Sequence, residues 1–400
     1  MVRATEFGKE MRMRADRMPV IVGVALSDYP KAPNLTSHGH HAQALQRVLE
    51  ESGVRLEDVD GYMSVGTGGM NVDDVATMAE YFRIKHRWAE GSQIGGAAYQ
   101  GFVDHAKTVI ESGICDTVLM TYGSDLRSNK RRSLAPRLAD QFVESPRCYE
   151  NPYGPTILGN YALAAQRHMH EFGTTLEQLA EIAVSTRLHA ANNPFALNRE
   201  PITIADVVNA PRVADPLGKL DACVVTDGGA AVIMTTLERA RDLRQKPIYL
   251  LGSATAQTHW SINQMPDYTT TAAAVSGPAA FAQAGVTPAD IDTAQLYDSF
   301  TITVMLLLEG LGFCRRGEGG AFVRDGKLRP GGRLPTNTDG GGLSACHPGM
   351  RGVFTLIEAV LQLRGQAGAR QVPDAKLAVA CGSGGILSCI STLILGKEQP

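Results

Sequence analysis

The chain lacks the sequence features of membrane-spanning, exported and nucleic-acid-binding proteins. No apolar window approaches the length of a transmembrane helix, and Met1 to Arg17 alternates charges where a signal peptide would be apolar. The 38 basic and 41 acidic side chains nearly cancel, leaving a formal net charge of -3, which excludes a strongly basic surface. We therefore expect a soluble, cytoplasmic protein with no nucleic-acid or membrane partner.

Cysteines are few and scattered. The seven of them form no CxxC pair and no metal-ligand spacing, and a chain of 400 residues is too large to need disulfides. His38, His40 and His41 lie close together, but their polar neighbours are more typical of a loop and helix entry than of a metal site. We therefore expect a reduced protein with no metal centre and no covalently bound cofactor.

Strand and helix patterns alternate along most of the chain. Pro19 to Leu26 is a short, β-branched apolar run typical of a buried parallel strand, and a helix from about His41 to Ser52 follows it. A glycine-rich stretch then leads into a helix that begins near Gly96, and Thr117 to Tyr122 is the next strand. This alternation predicts an α/β layered fold with right-handed crossovers.

The chain also repeats one pattern. Ser52 to Asp60 contains Gly-Val and then Asp-x-Asp, and Ala284 to Asp292 has the same spacing 232 residues later (284 minus 52). We interpret the chain as two similar βαβαβ halves, 1–246 and 247–400. A loop subdomain rich in Arg, Pro, Asn and Tyr is inserted at about 124–216.

Two further segments, one within this insertion and one after it, carry expectations. Arg127 and the run Lys130-Arg131-Arg132 form a local basic cluster, which is either a solvated loop or a contact for the phosphates of a CoA-type ligand. Ala222 to Met234 reads as two apolar runs joined at Thr226 to Ala231, as by a hairpin or bulge.

The first candidate site is the loop Thr336 to Ile357. It contains three consecutive glycines from Gly340, then Cys346 and His347, before an amphipathic segment. Such a loop feeding a helix N-terminus offers main-chain N–H groups that can bind negative charge. The alternative is that the glycines make a tight turn and His347 is a hydrogen-bonded loop residue.

The second cluster follows a strand of the second half. Tyr297, Asp298 and Ser299 come directly before the apolar helix predicted from Thr301 to Leu311. The carboxyl ends of strands face the ligand crevice in α/β sheets, so these three are positioned for function. For Ser299 we favour the role of helix N-cap, and for Tyr297 a functional role.

The third cluster is Cys381-Gly382-Ser383-Gly384-Gly385, which follows a predicted strand. Glycines let the backbone approach a ligand closely, and a cysteine at a strand end is either a thiolate held by N–H dipoles or an inert core residue.

These motifs resemble the thiolase superfamily over essentially the whole chain. The resemblance rests on the two halves, the insertion, Tyr297-Asp298-Ser299-Phe300, His347-Pro348-Gly349 and the Cys381-x-x-Gly384-Gly385 run. The segments that further resemble the non-thiolytic branch once called lipid-transfer proteins are Gln295 to Phe300, Gly312 to Gly319 and Asn337 to Met350. That branch includes aldolases that cut steroid side chains carried on CoA.

The resemblance implies a structure and partners. We expect a five-layered αβαβα core, a homodimer, an acyl-CoA substrate whose CoA is the only cofactor, and a small partner protein with an OB fold and a zinc ribbon. The identity of the acyl group, whether steroid, aromatic or aliphatic, is not readable from these motifs.

The departures from the family pattern bear on the reaction. The position that holds the nucleophilic cysteine in thiolases corresponds to Gly96, which has no nucleophilic side chain. Ser92 takes that role only if the register of the motif match is shifted. Retro-aldol cleavage of a β-hydroxyacyl-CoA needs no acyl acceptor. Tyr297 then matches the acid/base tyrosine of the resembling aldolases, with Asp298 for orientation or proton relay. Those aldolases carry a second tyrosine where this chain has Ala345, a hydroxyl that water or Cys346 would have to replace.

The resemblance also implies groups that stabilise the enolate, and two alternative functions stay open. His347 and N–H groups near Gly384 would stabilise the enolate oxygen. A specialised thiolase using Cys381 and His347 is one alternative. A non-catalytic acyl-CoA or lipid-binding scaffold is the other, since a lost nucleophile is what a pseudo-enzyme would show.

Overall fold

We analysed a computed structural model of the chain, which describes residues 17–66, 74–92, 94–129, 146–154 and 156–399. The predicted contact residue Arg131, with its neighbours Lys130 and Arg132, lies outside the described residues. Among the helices described, none has the length and apolar character needed to cross a membrane.

The strands and helices of the described residues alternate as the sequence pattern predicts. The strands are β1 (Pro19–Leu26), β2 (Gly61–Ser64), β3 (Trp88–Glu90), β4 (Thr117–Ser124), β5 (Arg212–Ala214), β6 (Leu217–Gly218), β7 (Gly228–Thr236), β8 (Ile248–Gln257), β9 (Thr293–Leu296), β10 (Leu377–Gly384) and β11 (Cys389–Gly396). The helices are α1 (Ser37–Ser52), α2 (Asp74–Tyr81), α3 (Ala98–Glu111), α4 (Ile157–Phe172), α5 (Leu176–Ala191), α6 (Ile204–Val208), α7 (Leu237–Ala240), α8 (Ala273–Ala284), α9 (Thr301–Gly310), α10 (Gly319–Phe322) and α11 (Gly352–Arg364).

Two similar half-sheets join through their first strands. The strand order is β3-β2-β4-β7-β1-β8-β11-β10-β9. In the first half β2 is parallel to β4, and the β4–β7 and β7–β1 pairs are antiparallel. In the second half β9 is parallel to β10, and the β10–β11 and β11–β8 pairs are antiparallel. The halves meet at β1 and β8, through the pairs Val20–Tyr249 and Ile21–Ile248.

The repeat seen in the sequence is a structural repeat. The 3₁₀ turn Leu56–Asp58 precedes β2, and the 3₁₀ turn Pro288–Asp290 precedes β9. Both the turns and the strands start 232 positions apart (288 minus 56, and 293 minus 61). The boundaries predicted at 246/247 and around the insertion stay predictions, although β8 starts at Ile248.

Side-chain alternation along the strands builds the five predicted layers. In β7, Ala230, Val232 and Met234 face α3 and α11, which lie between the half-sheets, whereas Ala231 and Ile233 face α1 and α2. The outer face of the second half-sheet packs against α8 and α9. Strands buried on both faces have to be apolar at nearly every position, which is why they read as continuous runs.

Two local predictions of the strand pattern were wrong. Strand β1 is antiparallel to both of its neighbours, β7 and β8, rather than parallel. The segment Ala222 to Met234 is a single strand from Gly228, preceded by an irregular segment, rather than two strands joined by a hairpin or bulge. The reason is the carboxylate of Asp227, which accepts hydrogen bonds from the main-chain N–H groups of Ala32, Arg127 and Ser128 at 2.8 to 3.0 Å. These hydrogen bonds hold two other loops against the segment, so the main chain before Gly228 does not pair as a strand.

A substitution at Gly252 of β8 tests the contact between the outer helix α8 and the second half-sheet. A Cβ at Gly252 would collide with the carbonyl oxygen of Ala280 in α8, whose main chain cannot move aside easily. We expect Gly252→Ala to lower the free energy of unfolding by about 1–3 kcal/mol in chemical denaturation. The control is Gly101→Ala within α3, where a Cβ meets only ordinary contacts of 3.4 Å or more. That change should stabilise by about 0.5–1 kcal/mol, and equal effects at both positions would contradict the packing described.

Candidate active site

Four chain segments converge at the carboxyl end of β9. They are the residues after β9, the end of β10, and the entries to the two central helices, α3 and α11. The entry to α3 is a 3₁₀ turn, Gly95–Ala97, and the entry to α11 is the loop that contains His347. The three clusters singled out in the sequence therefore meet at one edge of the sheet, as the carboxyl ends of parallel strands do in α/β folds.

Glycines allow these segments to touch main chain to main chain. A Cβ at Gly352 would strike the carbonyl oxygen of Gly96, and one at Gly384 would strike that of Ile94. A Cβ at Gly382 would strike the side-chain amide of Gln100, which donates to the carbonyl oxygen of Gly352 at 2.8 Å. We call Gly96, Gly352, Gly382 and Gly384 the glycine junction. No larger residue fits at these positions without separating the segments.

The Tyr297 ring lies directly over Gly96. A Cβ at Gly96 would overlap the Cε2 and Cζ atoms of that ring. The Tyr297 hydroxyl donates to the carbonyl oxygen of Gly349 at 2.9 Å, and 5% of the residue is exposed. The His347 ring meets it edge to face, with 5.5 Å between centroids and 86° between planes. A phenol and an imidazole thus lie together above a position that has no side chain.

Tyr122 of β4 holds the His347-Pro348-Gly349 turn. Its hydroxyl donates to the carbonyl oxygen of Pro348 at 2.6 Å and accepts from the N–H of Met350 at 3.2 Å. Gly349 has a φ of 123°, a left-handed conformation that glycine adopts without strain. The N–H of His347 donates to the Thr226 hydroxyl at 3.0 Å. Side chains of the first half therefore position the loop that faces Tyr297.

The N–H groups of the glycine loop bind a protein carboxylate. The Asp298 carboxylate accepts from Gly342 N–H at 2.7 Å and from Leu343 N–H at 3.1 Å, within the single π-helical turn Gly341–Ala345. The sequence predicted that such groups bind negative charge, and the charge they meet here belongs to the chain itself. Asp298 is fully buried, and burial raises its pKa to about 6, although Arg351 opposes the rise. These contacts favour a positioning role over a proton relay for Asp298.

Ser299 does not cap the following helix as predicted. Phe300 occupies the N-cap position of α9 and makes no side-chain cap. The Ser299 hydroxyl hydrogen-bonds instead to that of Thr303 at 2.9 Å. The β9–β10 pairing and the extended chain after Leu296 set this orientation, which the local pattern does not contain.

The two candidate cysteines are buried thiols. Cys346 Sγ lies 3.3 Å from the Thr226 hydroxyl, and burial raises its pKa to about 12. Cys381 Sγ lies 3.8 Å from the Thr392 hydroxyl, and burial raises its pKa to about 12 as well. Side chains alternate along β10, so Cys381 faces the α8 side while Gly382 faces Gly96. The catalytic role of Cys381 stays a prediction, which this location disfavours.

The remaining predicted residues are the contact residues Gly385 and Arg127 and the alternative nucleophile Ser92. Gly385 follows the junction at the β10–β11 turn, and its carbonyl oxygen accepts from the Tyr161 hydroxyl at 3.4 Å. Arg127 donates to the carbonyl oxygen of Val225 at 2.9 Å, next to Thr226. Ser92 precedes the α3 entry, and the 3₁₀ turn leaves Gly96 at the helix start.

Sequence reasoning missed several residues that shape the site. Tyr122 is the last residue of the predicted strand and lies within β4, and Arg351 interrupts the glycine-punctuated entry to an apolar helix. Arg351 is fully buried and forms an ion pair with Asp339 at 2.6 Å. A single charge among apolar and glycine residues was the available signal, because such charges are buried only with a partner.

Comparison with known proteins places this geometry in a family. Residues 254–397 match the family model described as thiolase C-terminal domain-like. A 17-hydroxy-3-oxo-4-pregnene-20-carboxyl-CoA lyase of Mycobacterium tuberculosis is 33% identical over 361 residues, 86% of this chain and 91% of the relative. A steroid side-chain-cleaving aldolase of Thermomonospora curvata is 33% identical over 394 residues, 95% of this chain and 98% of the relative. The chain belongs to the thiolase superfamily, in the branch of these aldolases.

Other members of the superfamily are similar too. The solved Ltp2-ChsH2(DUF35) aldolase is 31% identical, with a TM-score of 0.85 over 96% of this chain and 98% of that chain. An acetyl-CoA acetyltransferase of Methanothermobacter thermautotrophicus is 40% identical over 239 residues, 59% of this chain and 62% of the relative. The resemblance read from the motifs and the predicted thiolase-like fold are confirmed. The relatives are named for two reactions, carbon-carbon bond cleavage by a lyase or aldolase and acetyl transfer. The geometry of the site is therefore needed to choose between these reactions.

Gly96→Ala tests the placement of Tyr297 over Gly96, the predicted position of the thiolase nucleophile. The added Cβ would overlap the Tyr297 ring, so we expect the ring to move and turnover to fall by about 10²-fold. The measurement is kcat on the substrate that the wild-type protein turns over best, with the unfolding midpoint as a check on folding. Gly101→Ala, about one helical turn further along, is the matched control and should keep wild-type turnover. Unchanged activity in Gly96→Ala would show that the ring position is not needed.

Proposed function

We propose that the protein is an acyl-CoA aldolase that cleaves a carbon-carbon bond of a β-hydroxyacyl-CoA by retro-aldol chemistry. The observation that carries the proposal is the Tyr297 ring over Gly96. A thiolase needs a nucleophilic side chain there to form an acyl-enzyme, and Tyr297 and such a side chain compete for the same space. A phenol at this point supports an acid/base reaction instead.

The proposed reaction requires a base and an oxyanion site. The base takes the proton of the β-hydroxyl, and the bond between the α- and β-carbons breaks. A ketone or aldehyde leaves, and the bonding electron pair forms a thioester enolate, which then takes up a proton at the α-carbon. Donors aimed at the enolate oxygen lower the barrier because negative charge develops there.

The residues around the glycine junction match these tasks. Tyr297 would act as the acid/base group, since its hydroxyl is placed at Gly349 by a hydrogen bond of 2.9 Å that a substrate hydroxyl can replace. His347, edge-on to that ring, and N–H groups near Gly384 would stabilise the enolate oxygen. Asp298 would hold the 341–345 turn beside them.

The substrate is proposed to be a steroid side chain carried on CoA. The names of the two relatives that match almost end to end support this acyl group. Arg127 and Arg131 are proposed to bind the CoA phosphates, because one guanidinium group can donate two hydrogen bonds to the oxygens of a phosphate. Further contacts of the acyl-CoA are proposed at Gly96, Gly384, Gly385 and Cys346. The proposed chemistry requires no metal and no covalently bound cofactor.

A thiolase that uses Cys381 and His347 is the competing function. It is favoured by the partial similarity to an acetyl-CoA acetyltransferase. It is disfavoured by the burial of Cys381, because only a thiolate is an efficient acid/base or nucleophilic sulfur group and burial raises the thiol pKa to about 12.

A matched pair of variants separates the two reactions. Wild-type protein is expected to cleave a β-hydroxyacyl-CoA with a steroid side chain without added CoA, releasing a ketone or aldehyde. Tyr297→Phe removes only the hydroxyl and should lower kcat by about 10²- to 10⁴-fold. Cys381→Ala should leave kcat little changed. Products are followed by liquid chromatography and mass spectrometry.

The opposite pattern would overturn the aldolase. Cleavage of β-ketoacyl-CoA alone, only with free CoA and lost in Cys381→Ala, would establish the thiolase. Binding of the acyl-CoA without turnover, with or without a partner protein, would favour the scaffold reading.

We further propose a homodimer that binds a small OB-fold and zinc-ribbon protein. Strand β3 supports the dimer, because it forms one edge of the sheet and its residue Ala89 is exposed. An edge strand offers unpaired main-chain groups to a second strand. The partner is supported by the aldolase structure, whose name joins Ltp2 to ChsH2(DUF35).

Light scattering coupled to gel filtration tests the assembly. We expect the protein alone to elute with twice its chain mass and Ala89→Arg to elute as a monomer, because charge on an edge strand opposes pairing. Added OB-fold protein should join the wild-type peak. A wild-type monomer, or an unchanged dimer in Ala89→Arg, would contradict pairing through β3.

A further inference from the structure

A buried cluster of three charges lies under the glycine loop. Arg351 and Asp298 have no exposed side-chain surface, and Asp339 has 11%. The Arg351 Nη2 atom donates to Asp339 Oδ1 at 2.6 Å, and its Nε atom lies 3.7 Å from Asp298 Oδ1. Two carboxylates therefore share one guanidinium. An ion cluster this deep is costly to desolvate, so its retention calls for a role.

The two carboxylates hold three consecutive N–H groups of the loop. Asp339 accepts from the N–H of Gly341 at 2.9 Å, and Asp298 accepts from those of Gly342 and Leu343. A Cβ at Gly342 would lie 2.9 Å from Cδ2 of His347, so this turn packs against the histidine ring. The cluster thus reaches the Tyr297–His347 pair through one turn of main chain.

Arg351 is not fully satisfied by hydrogen bonds. Its Nε and Nη1 atoms are buried and make no hydrogen bond to any residue that the structure describes. Its guanidinium carbon lies 5.9 Å from the centre of the Phe354 ring. A buried arginine with two unused donors acts mainly by its charge, which compensates both carboxylates at once.

We propose that Arg351 is a positioning residue of the aldolase: its charge keeps Asp298 and Asp339 ionised under the 341–343 turn, and the turn keeps His347 against Tyr297. This inference rests on the proposed function for its kinetic consequence. The ion pairs of Arg351 are with Asp298 and Asp339. Its effect passes through Asp298, Asp339 and the three N–H groups.

The sign of the pH dependence follows from burial and charge. Burial raises the pKa of Asp298 to about 6, and the positive charge of Arg351 opposes that rise. As pH falls through about 6, Asp298 takes up a proton and holds the two N–H groups less firmly. Turnover should therefore decline on the acid side. Without Arg351 the pKa of Asp298 rises further, so the decline should begin at higher pH.

Other charged and titratable groups surround the cluster and have to be considered with it. Arg187 of α5 donates to the hydroxyl of Ser344 in the turn at 2.8 Å. Burial lowers the pKa of His189, also in α5, to about 4, so this ring is neutral near pH 6. Five further groups face the cluster, namely Tyr29, Cys346, His347, Glu358 and Arg370.

Three variants of the full chain test the proposal. Arg351→Met removes the charge, Arg351→Lys keeps it, and Asp298→Asn removes the titrating carboxylate. In Arg351→Met we expect kcat to fall by about 10²-fold. Its acid limb should move up by about 1 to 3 pH units. Arg351→Lys should restore the wild-type position of the limb, and Asp298→Asn should abolish the limb.

Arg364→Met is the matched control. Arg364 is the last residue of the same helix, its side chain is 2% exposed, and it pairs with Glu51 at 2.7 Å. Its loss should lower the unfolding midpoint but leave kcat and the acid limb unchanged. If Arg351→Met behaves as Arg364→Met does, with lower stability and no change in the pH profile, the proposal is wrong.

Hydrogen–deuterium exchange gives a readout that needs no turnover. Amides 341–343 should lose protection in Arg351→Met and keep it in Arg364→Met, measured by mass spectrometry of the peptide that spans them. Equal protection in both variants would contradict the role of Arg351. A wild-type protein that cleaves no substrate would instead refute the proposed function, while the exchange data still decide whether Arg351 holds the turn.

Discussion

Close contact between main chains at the glycine junction is the constraint on which the site depends. The entries to both central helices and the end of β10 approach so closely that a Cβ at Gly96, Gly352, Gly382 or Gly384 would overlap a neighbouring atom. This contact joins the two halves of the chain, because α3 belongs to the first and α11 and β10 to the second. It also leaves a space without side chains beside Gly96, and the Tyr297 ring fills it.

The loop around His347 shows how a protein uses its own charge to shape a site. Glycine-rich loops at helix entries commonly bind ligand anions. Here the carboxylates of Asp298 and Asp339 take the N–H groups of the 341–343 turn, and Arg351 lies between them. The chain itself therefore holds these N–H groups in place. Preorganised groups of this kind lower a barrier because they need not reorient as charge develops.

Much of the fold was predictable because it depends on local pattern and on repetition. Helix α9 begins at Thr301 as predicted and ends one residue before the predicted Leu311, and β9 with the turn before it copies β2 at a constant offset. Strand ends also placed Tyr297 correctly beside the loop. The predictions for Ala222 to Met234 and for Ser299 were wrong, because a buried carboxylate and a strand pairing from distant parts of the chain determine the backbone there. No local pattern records such partners.

The sequence by itself determined the alternation of strands and helices, the duplication, the family and the absence of a nucleophile at Gly96. These follow from periodicity, spacing and residue identity. Only the tertiary structure decided that Tyr297 covers Gly96, that Cys381 faces the outer helix layer, and that Arg351 lies between two carboxylates. The physical reason is that residues far apart in the chain share one buried space, and packing and charge balance there are properties of the folded set.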